Sequence, residues 1–265
     1  RLSHRPRKRF GQHFLHDPGV IQKIIASIDP AAGDLIVEIG PGEGAITMPL
    51  LHRVDTMDAI EIDRDVIRSL ESRCKSHGHL RIHNADALRF DFATLAPAGS
   101  ALRIVGNLPY NISTPLLFHL LRQKEVIRDM HFMLQREVVE RMAAAPGSRT
   151  YGRLTVMLAA YCRVERLFDI GPGAFRPPPR VHSSMARLTP WSNAPFPNPK
   201  PEVFSAIVNR AFSMRRKTLR NALKGMVTVE AMIAADCDPG SRPETLTPAQ
   251  FALLAAGSDV QSGAG

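Results

Sequence analysis

Leu35-Ile36-Val37-Glu38-Ile39-Gly40-Pro41-Gly42-Glu43-Gly44 runs from a short, almost wholly apolar stretch straight into a turn with glycine at every second position. Five such residues are too few for a helix and read as a buried strand. The glycines that follow let the backbone turn tightly and approach a ligand closely. A dinucleotide fingerprint would space them G-x-G-x-x-G. Here the spacing is G-x-G-x-G with an acidic residue ahead of the turn. That pattern suits S-adenosyl-L-methionine better than a nicotinamide dinucleotide. A plain tight turn or a loop for another nucleotide would carry the same glycines, so the neighbouring elements have to decide.

From Asp34 onward, short apolar runs alternate with amphipathic segments, the pattern of a parallel sheet with crossover helices. Leu35 to Ile39 is the first strand, Met57 to Ile62 the second, Leu80 to His83 the third, Leu102 to Val105 the fourth and His131 to Leu134 the fifth. Helices are expected at 44–53, 64–76, 115–123 and 136–145, with Thr114-Pro115 as a cap-then-proline start. Further strands in Leu154 to Cys162 and Ser184 to Leu188 would complete a seven-stranded, Rossmann-like α/β sheet with an antiparallel member. Ahead of the sheet, Asp17 as N-cap and Pro18 at the first position start a helix with Val20, Ile21, Ile24, Ile25 and Ile28 on one stripe. Thr189 to Glu202, rich in Pro and Asn, reads as a linker. Beyond it only helical segments follow: Val203 to Phe212, a basic stretch from Met214 to Lys224, Val229 to Ala235, and a last helix opened by the capping box Thr247-Pro248-Ala249-Gln250. The expected domains are 1–188, opening on a basic segment at 1–16, and an all-helical 189–265.

With 265 residues and 44% apolar content, the chain is long enough for a sizeable core. Its net charge of +9 favours a polyanionic partner. The charges gather at both ends. Arg1, Arg5, Arg7, Lys8 and Arg9 form one block. Arg210, Lys217, Arg220 and Lys224 would share one helical face, with Arg216 at its edge and Phe212, Leu219 and Leu223 on the packed side. Such runs are often only solvated faces, but a dense basic side beside a packed one is what phosphate contacts require. Cys74, Cys162 and Cys237 are far apart and match no zinc-ligand spacing, so no metal and a reduced compartment are expected. No apolar run reaches membrane-spanning length and no signal-peptide core follows the basic start, which points to a soluble, cytoplasmic chain.

The strand ends carry the chemistry. Glu61 ends the second strand, where a carboxylate can accept both ribose hydroxyls of a bound adenosine; NAD enzymes share that feature. Asp86 follows the third, where it can accept from the exocyclic amine of the cofactor's adenine. Asn107-Leu108-Pro109-Tyr110 follows the fourth. The lone pair of an aromatic amine is delocalised into its ring. Hydrogen bonds from N6 to the Asn107 side chain and the Leu108 carbonyl would concentrate that lone pair on nitrogen. A sulfonium methyl is already activated, so catalysis needs positioning and electrostatics, with no metal. Pro109 aims the turn, and Tyr110 would stack on a flipped-out adenine, a contact worth about 1–3 kcal/mol. Phe175, ahead of Pro177-Pro178-Pro179, is either a second stacking face or a core anchor; spacing does not separate the two.

Phe10-Gly-Gln-His-Phe-Leu15, Glu38 to Gly44, Asn107 to Tyr110, Gln135-Arg-Glu-Val-Val139, Tyr151-Gly-Arg-Leu154, Phe175 to Ser183 and Arg215-Arg-Lys-Thr-Leu219 together closely resemble the small-subunit ribosomal RNA adenine dimethyltransferases. The match runs from Arg9 to about Leu254. The resemblance implies a class I methyltransferase fold with a small helical domain. It implies transfer of four methyl groups to N6 of two adjacent adenosines in a hairpin loop near the 3′ end of small-subunit rRNA. It also implies a monomer that works on the immature small subunit late in assembly. It places His13, Leu15, Gly40, Gly42, Glu61, Asp86 and Asn107 at the cofactor, Asn107 to Tyr110 in the catalytic turn, and Phe175 on the target base. The chain departs from the usual pattern at His13, His182 and Met214. The alternatives are a large-subunit rRNA adenine methyltransferase of the antibiotic-resistance type, which the Gly11-Gln12 start and the basic C-terminal part oppose, a non-catalytic RNA-binding assembly factor, and a nicotinamide oxidoreductase.

Overall fold

A computed structural model describes residues 13–109, 111–197 and 200–258 of the chain. By its internal contacts the chain divides into two compact units. One is the chain up to Val139 together with Glu165–Pro190, and the other is Glu140–Val164 with the chain from Trp191 onward.

The first unit is built on a seven-stranded sheet. In chain order its elements are β1 (Phe14–Leu15), α1 (Pro18–Ile28), β2 (Leu35–Ile39), α2 (Thr47–Val54), β3 (Thr56–Glu61), α3 (Arg64–Cys74), β4 (His79–Asn84), β5 (Leu102–Asn107), α4 (Ser113–Leu121), β6 (Ile127–Gln135) and α5 (Arg136–Met142). After α6 (Arg153–Ala159) come β7 (Cys162–Ile170), β8 (Phe175–Arg176) and β9 (Ser183–Pro190). The strand order is β4-β3-β2-β5-β6-β9-β7. β4 to β6 are parallel, and β9 runs antiparallel to β6. From β2 the chain winds outward to β3 and β4, then returns to lay β5 on β2's other side. The direction of winding therefore reverses between β2 and β5, and an open α/β sheet binds its ligands at the strand ends beside such a point.

Register brings those ends level. Ile39 pairs with Ile60 on one side and Gly106 on the other, while Glu61 pairs with Asn84 and Asn107 with Met133. Gly106 is required there, because a Cβ would stand 2.7 Å from the Ile39 carbonyl oxygen. α1 starts as its sequence predicts, with Asp17 Oδ1 accepting the Val20 N–H at 3.0 Å and Pro18 in the first turn. Its Ile24, Ile25 and Ile28 pack on the sheet with Ile36, Val105 and Met133.

One polar anchor crosses this apolar layer. Arg103 on β5, 4% exposed, donates to Asp129 at 3.0 Å, to Asp34 at 2.7 Å and to the Ile28 and Asp29 carbonyls that end α1. Burial alone would raise both carboxyls. The Ala31 N–H and Arg103 on Asp34, and His131 with Arg103 beside Asp129, outweigh it and hold both below the usual range.

The second unit is helical apart from the start of β7. α7 (Pro201–Ser213), α8 (Leu219–Ala222), α9 (Val229–Ala234) and α10 (Pro248–Ala256) follow β9. Tyr151, Phe212 and Phe251 pack ring against ring, edge-on and then tilted, with centroids 6.0 and 5.6 Å apart, and the Tyr151 hydroxyl donates to the Leu246 carbonyl at 2.6 Å. The Thr247 capping box forms as expected.

Three expectations need correction. Leu154 to Cys162 is no strand: 153–159 is helix α6, and the strand starts where that run ends, at Cys162. A short apolar run does not tell buried helix from buried strand, and the Gly152 N–H bonded to Thr155 Oγ1 starts a helix here. The basic stretch after Met214 does not continue α7. The chain turns at 214–217, and the Leu219 and Arg220 N–H groups donate to Ser241 and Pro239 carbonyls, so Arg210 and Lys224 do not share one helical face. α4 opens one residue before Thr114, on Ile112 and without a side-chain cap. The short pairing of β1 with β8 had no signal in hydrophobic period, being two residues long.

Candidate active site

A cavity of about 630 Å³ opens at the level strand ends of the first unit. Its floor is the turn after β2. Gly40 and Gly42 sit at φ 66° and 55°, backbone that glycine adopts without strain. A Cβ on Gly40 would meet nothing within 4 Å, so this backbone faces open space, whereas one on Gly42 would stand 3.5 Å from the Phe14 ring.

β3 delivers Glu61, 9% exposed, to the same cavity. Burial raises its carboxyl above the ordinary value, and the N–H groups of Asp63, Ile62 and Gly42 oppose that without cancelling it. The Asp63 N–H reaches Oε1 at 2.8 Å. Asn84 at the end of β4 steadies this corner by donating to the Glu61 and Ile62 carbonyls at 3.0 and 3.2 Å. Asp86 spends Oδ1 on the Leu88 N–H at 2.9 Å.

Asn107 ends β5 with its Nδ2 donating to the His13 carbonyl at 3.5 Å, an assignment that turns Oδ1 into the acceptor of the pair. Leu108 is 1% exposed, and its N–H continues the ladder to the Met133 carbonyl at 3.2 Å. Pro109 lines the cavity beside it. Tyr110 lies outside the described residues, as do the Arg1 to Arg9 block and Phe10-Gly11-Gln12.

The remaining wall is the β1–β8 pair. Leu15 is in register with Phe175 and Phe14 with Arg176, and a cis Arg176–Pro177 bond follows the pair. The His16 N–H donates to the Ala174 carbonyl at 2.9 Å, and His13 Nδ1 meets the Pro177 carbonyl at 2.7 Å. Phe175 is thus held by backbone pairing as much as by the stiff proline run. At 3% exposure it packs in the core with Leu15, as the anchor reading expects, and it also lines the cavity.

His13, Leu15, Gly40, Gly42, Glu61, Asp86, Asn107, Leu108, Pro109 and Phe175 therefore all border one cavity. Sequence reasoning did not assign Phe14, Ile62, Asp63, Leu88 and Asn111 to it. Ile62 had a usable signal: an apolar residue directly after a strand-end acid, here 60% exposed at the cavity edge. Glu38 was noted only as preceding the turn. It is 2% exposed on the cavity wall, and burial pushes its carboxyl up to about 7, with the Thr47 hydroxyl at 2.5 Å opposing the rise and Glu61 adding to it. Among the described residues no cluster of three or more His, Cys, Asp or Glu is placed to hold a metal, and no helix is long and apolar enough to cross a membrane.

The arrangement suits a cationic adenosyl ligand: open floor at Gly40, acceptors at Glu61 and Asp86, and an amide acceptor at Asn107 next to them. Comparison with known proteins agrees. Residues 3–256 match the model of a family described as ribosomal RNA adenine dimethylase. The chain is 56% identical over 253 residues to the ribosomal RNA small subunit methyltransferase A of Nitrosococcus oceani, covering 96% of each chain. It is 53% identical to the protein of that name from Pseudomonas aeruginosa, covering 96% of this chain and 94% of that one. Among solved structures, a dimethyladenosine transferase from Plasmodium falciparum superposes with a TM-score of 0.74 at 26% identity, over 91% of this chain and 96% of that one. The 23S rRNA methyltransferase ErmE reaches the same TM-score at 23% identity, over 93% and 100%, a likeness of fold.

Proposed function

Because this chain belongs to the ribosomal RNA adenine dimethylase family, we propose that it transfers methyl groups from S-adenosyl-L-methionine to N6 of two adjacent adenosines in a hairpin loop near the 3′ end of small-subunit rRNA. The observation that carries this reading is the placement of Asn107. It ends the strand at the reversal point, donates its Nδ2 to His13 and keeps Oδ1 for an amine, within the cavity that also holds Glu61 and Asp86.

The cofactor supplies a methyl group already activated on a sulfonium. Glu61 holds the ribose hydroxyls, Asp86 the adenine amine, and the turn at Gly40 and Gly42 lets the ligand lie against backbone; His13 and Leu15 close the wall. Asn107 Oδ1 and the Leu108 carbonyl accept from the target N6 and draw its lone pair out of the ring. Pro109 holds that carbonyl in direction, while Tyr110 and Phe175 flank the target base. The N6 proton leaves after methyl transfer, so no strong base is needed.

We assign cofactor binding to 1–188 and RNA contact to the basic segment at 1–16 and to 189–265. The phosphates would be met by a broken arrangement of basic residues around α7 and α8 in place of one helical face. The partner is the immature small subunit, and the protein works as a cytoplasmic monomer without a metal.

The deciding experiment supplies methyl-labelled S-adenosylmethionine to small-subunit particles whose rRNA lacks the modification, and separately to naked large-subunit RNA. Label in two adjacent adenosines of the small-subunit RNA is expected. Label confined to large-subunit RNA would replace this reading with the antibiotic-resistance type.

A further inference from the structure

Apart from the His13 imidazole, every ionisable group on the cavity wall among the described residues is a carboxylate: Glu38, Glu43, Glu61, Asp63 and Asp86. The chain as a whole carries +9, so the wall has the opposite sign to the molecule. Four of these acids have evident partners nearby. Glu43 lies 3.6 Å from Arg73, Glu61 accepts the Asp63 N–H, Asp63 itself caps α3 by accepting the Asp65 N–H at 2.9 Å, and Asp86 accepts the Leu88 N–H at 2.9 Å.

Glu38 is different. It is 2% exposed, and the described residues give it one hydrogen bond, from the Thr47 hydroxyl, and no ion pair. The groups facing it are Thr47 from α2, Glu61 from β3 and the Cys74 thiol from α3, whose own ionisation the charge on Glu38 disfavours. None of them is a cation. A buried carboxylate so placed either holds a proton or calls for positive charge in the cavity.

We propose that Glu38 reads the charge of the bound cofactor: it is ionised when the sulfonium of S-adenosylmethionine occupies the cavity and protonated when the cavity holds S-adenosylhomocysteine, whose sulfur is neutral. This rests on the cofactor assignment above. Both ligands carry the same ammonium, carboxylate and adenosine, so a difference between them isolates the sulfonium charge.

Two consequences follow from linkage. Donor binding releases protons that product binding does not. The preference for donor over product also rises with pH, because a ligand that takes only the ionised form binds in proportion to its population. For a group titrating midway, the ionised population that the donor takes rises about tenfold between about pH 6 and about pH 8 while the protonated population that the product takes falls about tenfold, so the ratio rises about a hundredfold.

Calorimetric titration of the full chain with each ligand, in buffers of different ionisation enthalpy across that range, reads both quantities. The expected result is greater proton release with S-adenosylmethionine, a donor-to-product affinity ratio that climbs about a hundredfold, and a flat ratio in Glu38→Gln. Equal proton release for the two ligands, a flat ratio in the unaltered chain, or a pH dependence that survives in Glu38→Gln would each overturn the proposal while leaving the cofactor assignment standing. The comparison on the unaltered chain holds even if the variant fails to fold. Failure of both ligands to bind would instead remove the cofactor assignment, and the proposal with it.

Discussion

His13 Nδ1 donates to the carbonyl of Pro177 at 2.7 Å, a tie between residues 164 positions apart in sequence. A carbonyl only accepts, so the bond selects the tautomer with hydrogen on Nδ1. It closes the two-stranded β1–β8 wall over the cavity and places the His13 carbonyl where Asn107 Nδ2 reaches it. His13→Ala removes the side-chain bond, worth about 1 kcal/mol, and should raise the KM for S-adenosylmethionine about fivefold. His13→Asn keeps a donor and should recover part of that loss. Steady-state kinetics on small-subunit particles checks both.

Asn107→Ala should leave S-adenosylmethionine binding within a few-fold while lowering kcat by about 10²- to 10³-fold, the usual effect of deleting one preorganised polar contact to the reacting group. Calorimetry for the cofactor and methyl incorporation for the reaction separate the two. A non-catalytic assembly factor would show no methyl incorporation to lose.

Gly106→Ala places a methyl group 2.7 Å from the Ile39 carbonyl oxygen, inside the ladder that sets the strand ends level. Backbone cannot yield there as a flexible side chain would. A destabilisation of about 1–3 kcal/mol is expected, read as a lower Tm together with weaker cofactor binding, because β2 and β5 both lead into residues that line the cavity.

Arg103→Met should cost about 3–5 kcal/mol, since Asp129 would be left buried without its guanidinium and Asp34 would keep only Arg128, at 3.0 Å. The same pair gives an acid limb to stability. Both carboxyls are held below their ordinary 3.8 in the fold, so their contribution is complete above that value and is lost as pH falls through it. Urea unfolding from neutral to acid pH should show that decline in the native chain and a shallower one in Arg103→Met.

Glu38 acts in the opposite direction. Its carboxyl titrates at about 7 in the fold against 4.5 ordinarily, so the ligand-free protein is penalised progressively as pH rises between those values. Glu38→Gln should therefore stabilise the ligand-free chain by about 3 kcal/mol above neutrality and change little in acid. Thermal unfolding at the two ends of that range makes the comparison.

Much of this architecture was legible in the chain because it rests on short-range causes. Leu35–Ile39 is a strand of the predicted length, Asp17 and Pro18 start α1, and Thr247 to Gln250 cap α10, each from the chemistry of adjacent residues. The placing of Glu61, Asp86 and Asn107 at successive strand ends was readable for the same reason, since apolar runs mark where strands stop. Leu154 to Leu158 marks the boundary of this kind of reading. Its apolar residues satisfy either period, and the local Gly152–Thr155 bond decided for helix.

Other features depend on residues far apart in sequence meeting in space, where periodicity has nothing to say. The β1–β8 wall is two pairs long, yet it fixes Phe175, His13 and Leu15 around one cavity. The break between α7 and α8 comes from the loop at Pro239 and Ser241 taking N–H groups that a continuous helix would have used. The state of Glu38 depends on what is absent from its surroundings. An acid before a glycine turn is visible in the chain, but only the packing of α2, α3 and β3 around it shows that no cation among the described residues pairs with it.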